Sequence, residues 1–71
     1  MIPQKDLDNW FSYHAPSSEQ VVTYEEIRDK FKGLAEYLNS VVPDSPDKTA
    51  AFRDLRNCVM RFNLAIACNS D

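Results

Sequence analysis

Few residues in this chain are suited to hold a ligand, and none of them forms a catalytic set. Arg28 and Lys32 stand four residues apart, which on a helix makes them neighbours one turn apart on the same flank. Together they offer donors to a small anion, Arg through a planar fork and Lys through a compact ammonium. A carboxylate such as Glu36 is the competing partner, and Lys30 projects from the opposite flank. Tyr13 and His14 lie just before Pro16 in a polar stretch. Flat rings in an ordered loop stack on purine bases, worth ~1–3 kcal/mol per base; the competing role is to cover an apolar face of the fold.

Enzymatic chemistry finds no footing. There is one His, no Ser-His-Asp or Cys-His pattern of meaningful spacing, no phosphate-binding loop and no dinucleotide fingerprint. The acidic residues Glu25, Glu26, Asp29, Glu36, Asp44, Asp47 and Asp54 are scattered through expected helices and caps and read as a solvated face. Cys58 and Cys68 are the only cysteines and fall on one expected helix. At ~1.5 Å of rise per residue they stand roughly 15 Å apart, beyond disulfide reach. The only His is distant in sequence, so neither Cys has a third ligand for a metal. No catalytic residue, metal or cofactor is expected.

Composition narrows the partners. A net charge of −3 opposes polymeric nucleic acid, whose binders carry a basic stripe. No signal peptide, apolar run of ~20 residues or lipidation motif is visible, so a cytoplasmic chain without membrane contact is expected. The chain of 71 residues is 44% hydrophobic and 27% charged, with a single Gly and four Pro, which favours one helical domain over a turn-rich sheet. A chain this short nets only ~3–5 kcal/mol from its own core and usually needs a staple. With disulfides and metal set aside, association of copies is the staple expected.

The elements that must position these residues follow from periodicity. Residues 1–12 read as a short helix with Pro3 at its first position and Leu7, Trp10 and Phe11 on one face, too short to stand undocked. Residues 20–42 read as the first long helix, with Thr23 and Glu26 as a capping box and an alternative start near Glu19. Its seam of Ile27, Phe31, Leu34, Leu38 and Val41 alternates steps of four and three, a heptad pattern, and Gly33 within it permits close approach of a neighbour. Pro43 ends that helix. Ser45 caps the next, with Pro46 and Asp47 in its first turn, so residues 46–68 return antiparallel. The second seam is Phe52, Leu55, Val59, Phe62 and Ile66. Extra apolar edges, Met60, Leu64 and Ala67 on one flank and Ala51, Cys58 and Ala65 on the other, exceed what one partner helix covers. The expected fold class is all-α: a short N-terminal helix and an antiparallel two-helix hairpin, one domain over residues 1–71, assembling into a helical homo-oligomer.

Several runs together resemble a known family. They are Phe11-Ser12-Tyr13-His14-Ala15-Pro16, Gln20, Tyr24-Glu25-Glu26-Ile27-Arg28, Lys32-Gly33-Leu34-Ala35, Val42-Pro43-Asp44-Ser45 and Val59 through Ala67. The pattern, over about residues 10 to 69, resembles the hairpin domain of bacteriophage anti-CBASS cyclic-nucleotide sponges, a hairpin shared with anti-Thoeris sponges. The resemblance implies a phage-encoded homo-oligomer, a hexamer in characterised members, that sequesters cyclic dinucleotides and in some members cyclic trinucleotides in the host cytoplasm without chemistry. It implies ligand contact by Tyr13 and by Arg28 or Lys32 in pockets between subunits, with His14 in the same motif. Phe62 stands where the family usually has an indole and Cys68 where Arg is common, and the second departure bears on any separate trinucleotide site. A cyclic ADP-ribose-type signal is the alternative ligand. A helical module that binds a protein through Met60 and Leu64 is the alternative of a different class.

Overall fold

The start of the long hairpin is written in one reciprocal pair of hydrogen bonds. Ser17 Oγ accepts from the Gln20 backbone N–H at 3.2 Å, and Gln20 Oε1 accepts from the Ser17 N–H at 2.9 Å, a complete capping box. The computed structural model describes residues 1–69. Among them all regular structure is helical: α1 (Gln4–Trp10), α2 (Ser18–Val41) and α3 (Pro46–Asn69). The cap expected at Thr23 is therefore corrected. Thr23 lies inside α2, where its hydroxyl donates back to the Glu19 carbonyl at 3.1 Å. Both Ser17-x-x-Gln20 and Thr23-x-x-Glu26 fit the capping pattern; the earlier one extends the helix back over Gln20, which is half-buried. Ser17→Ala is expected to cost about 1 kcal/mol in chemical denaturation, and Thr23→Ala much less. The reverse order would place the working cap at Thr23.

The turn uses each residue for a separate purpose. Val42 is extended ahead of Pro43, and its N–H still reaches the Leu38 carbonyl at 2.9 Å. Ser45 Oγ accepts from the Lys48 N–H at 3.1 Å and so caps α3. Lys48 Nζ donates both to Asp44 Oδ1 at 2.9 Å and to the Asn39 carbonyl at 3.0 Å. It thereby brings positive charge to the free carbonyls at the end of α2. The Lys48 hydrogen bond and charge hold the exposed Asp44 carboxyl below its ordinary range.

The seams differ in register from the heptads expected. The half-buried residues of α2 are Gln20, Tyr24, Ile27, Phe31, Ala35 and Leu38. On α3 the seam set is Lys48, Phe52, Leu55, Val59, Asn63 and Ile66, and Cys58, Ala67 and Cys68 beside it are half-buried as well. Both sets step by 4, 3, 4, 4 and 3 residues, which averages to the ~3.6-residue period of a straight helix rather than the 3.5 of a supercoil. Ala35 thus takes the place expected of Leu34, which is 45% exposed, and Val41 is 54% exposed. Asn63 takes the place of Phe62, whose ring leans across to Phe31 with centroids 6.1 Å apart.

Few contacts hold α1. Asn9 Nδ2 donates to the Cys68 carbonyl in the last turn of α3 at 2.9 Å, and Leu7 is half-buried while Phe11 is exposed. Pro3 precedes α1 as its cap residue rather than forming its first position. The chain measures 45 × 33 × 13 Å, so its thin dimension is about one helix diameter. No described residue is fully buried. Of the edge expected to need further cover, Met60 and Leu64 are each 59% exposed, whereas Ala67 is half-buried.

Candidate functional site

The connector between α1 and α2 fixes Tyr13 from both sides. Ser12 Oγ donates to the Asp8 carbonyl. His14 Nε2 lies 2.6 Å from the Asn9 carbonyl oxygen; a carbonyl only accepts, so Nε2 carries the proton. Asn9 in turn holds Cys68, which ties the connector to the end of α3. Between these anchors the Tyr13 ring is 89% exposed. An anchored backbone presenting a free ring loses little conformational freedom when that ring stacks on a ligand.

Arg28 and Lys32 come together elsewhere, in a cleft of ≈ 390 Å³ along one side of the hairpin. Its apolar lining is Phe31, Ala35, Phe52, Leu55, Val59 and Met60, from both long helices. Arg56, from α3, joins the same cleft and was not singled out by the sequence patterns above. Its position four residues after Phe52 and one after Leu55 placed it beside the seam, a signal that a helical projection carries. Tyr13 and His14 do not line this cleft. Arg28 lies ten positions along α2 from Ser18, roughly 15 Å of helix.

The local charge runs against the overall charge. Three cations line the cleft and no carboxylate does, although the chain has eleven acidic residues. The one ion pair among the described residues is Lys48–Asp44, at the turn, so none of the three cleft cations is paired there. Such a cleft can hold an anion with an apolar or aromatic body. Cys58 and Cys68 are both free thiols, and no group of three metal-ligating side chains occurs among the described residues. No described helix is long and apolar enough to cross a membrane.

The family model described as "Acb2/Tad1, hairpin domain" matches residues 3–67, from the residue before α1 almost to the end of α3. The chain belongs to the Acb2/Tad1 hairpin family. This is the family of phage anti-CBASS and anti-Thoeris sponges, which are binding proteins, and membership implies a sponge-type role in phage immune evasion. The matched span of this Acb2/Tad1 hairpin contains Tyr13, His14, Arg28, Lys32 and Arg56. Comparison with curated proteins and with solved structures gives no match.

Proposed function

We propose that this chain is a non-catalytic sponge for cyclic oligonucleotide signals. Cyclic dinucleotides are the leading ligands and cyclic trinucleotides a further class, and their capture in the host cytoplasm blocks CBASS signalling. The observation that carries the reading is the cationic cleft without a carboxylate, in a member of a sponge family. Phosphodiesters would take the Arg28 and Lys32 donors, and a base would stack on Tyr13. Because Tyr13 and the cleft lie apart on one chain, the site is built between copies, the Tyr13 loop of one approaching the Arg28–Lys32 flank of another. A homo-oligomer, a hexamer in this reading, also covers the exposed Met60 and Leu64 edge. His14 contributes by holding the loop through Asn9.

Calorimetric titration with a panel of cyclic di- and trinucleotides and cyclic ADP-ribose isomers is the test. Binding of a cyclic di- or trinucleotide, recovered intact by mass spectrometry after denaturation, is expected. Preference for a cyclic ADP-ribose isomer moves the chain to the anti-Thoeris side of the family, and no binding at micromolar concentration overturns the sponge reading. Tyr13→Ala is expected to weaken the best ligand about five- to hundredfold, the value of one stacked base, with the mass by light scattering unchanged. Loss of the assembly in that variant would assign Tyr13 to subunit packing instead.

A further inference from the structure

Arg56 is placed in a way that the stability of the hairpin does not explain. Its helical neighbours three and four residues away are Phe52, Arg53, Val59 and Met60, so no carboxylate stands at those positions and the one charge among them is another cation. Arg28 and Lys32 form a second like-charged pair, on α2. Both spacings are mildly repulsive in an empty helix, yet Arg56 converges with Arg28 and Lys32 on one cleft whose apolar lining includes Phe52. The cations come from two helices, so an anion with a single phosphate satisfies one side, whereas a ligand with two phosphates satisfies both.

We infer that Arg56 is a ligand-binding residue that takes the second phosphate of a two-phosphate nucleotide whose first phosphate lies against Arg28 and Lys32. The inference rests on the sponge reading above and adds to it the α3 side of the site. A guanidinium suits this position because its planar fork matches two phosphate oxygens at once and is weakly hydrated, so it tolerates an apolar border such as Phe52 and Met60. The phosphate supplies the negative charge that neither the cleft nor the neighbours of Arg56 provide.

The experiment compares the parent, Arg56→Gln, Arg56→Lys and Arg53→Gln against the cyclic dinucleotide that the parent binds best. Circular dichroism and light scattering are recorded for each protein. Arg56→Gln is expected to raise Kd about ten- to hundredfold, as loss of a charge-assisted contact does. Arg56→Lys, which keeps the charge but not the fork, is expected to fall between it and the parent, and it carries the comparison if the Gln variant assembles differently. Arg53→Gln, outside the cleft, is expected to stay within about twofold. Raising the salt from about 50 to 500 mM should shrink the gap between parent and Gln variant, because partly exposed charges are screened; a purely structural role would not respond in this way. A parent-like Kd in both Arg56 variants, or an equal loss in Arg53→Gln, overturns the role of Arg56 and leaves the sponge reading standing. A parent that binds no member of the panel overturns both.

Discussion

Replacing Arg28 and Lys32 together by Gln is expected to weaken binding of a cyclic dinucleotide by about a hundredfold or more. Each charge-assisted contact to phosphate is worth ~1.5–3 kcal/mol, and removal of one leaves the phosphate partly desolvated without its donor. The two residues are neighbours on one turn, so their losses will not simply add, and the estimate stands near the lower end of the sum. Folding should change little, since the change removes a like-charged pair together with the favourable spacings to Glu25, Asp29 and Glu36, terms of a few tenths of a kcal/mol each that offset one another. Calorimetry for Kd, with thermal melts followed by circular dichroism, separates the two effects. A double variant that melts no lower and binds like the parent would exclude this flank from the site.

The second large effect concerns the hairpin itself. Leu55→Asp is expected to abolish the cooperative helical signal at neutral pH. Leu55 sits mid-seam on α3 and lines two clefts of the hairpin. Its substitution forfeits part of the ~1.5–3 kcal/mol that a buried leucine contributes, and it presses a carboxylate against apolar neighbours, which costs several kcal/mol more or forces protonation. The sum matches or exceeds the ~3–5 kcal/mol that a chain of this size draws from its own core. Leu55→Ala, which only removes volume, should retain a melt at reduced temperature. If Leu55→Asp melts within a few degrees of the parent, the seam is not what holds the helices together.

Much of the hairpin was legible because its signals are local. Pro43, Ser45, Pro46 and Asp47 each have one plausible role, and the structure places Ser45 and Pro46 in theirs. The start of α2 was less legible, since two capping patterns six residues apart both fit by residue type, and the half-buried Gln20 belongs only to the helix that starts at the earlier one. Register was misread for a related reason. Over two heptads, periods of 3.5 and 3.6 diverge by less than one residue, so Leu34 and Ala35, or Phe62 and Asn63, cannot be separated by spacing alone. Asn63 has a cost of its own, as its buried Oδ1 has no hydrogen-bond partner. At the site, Arg28 and Lys32 are one turn apart and could be paired on paper. Arg56 could not be joined to them, because that requires the packing of one helix on another.

The single-layer thickness of the chain has a consequence for how its relatives should vary. In a protein with an interior, an apolar position that never drifts to polar across homologous sequences is explained by that interior. Here no described side chain is fully enclosed by its own chain, and intramolecular packing half-buries only one stripe of α2 and a stripe of α3 widened by Cys58, Ala67 and Cys68. Any apolar position off those stripes that resists drift, Met60, Leu64 or Trp10 for instance, must be held by something outside the polypeptide. An alignment of this family, with the 3.6-residue stripes subtracted, would therefore chart the external contact surface directly, and substitutions tolerated by one lone hairpin would be purged only where neighbours meet.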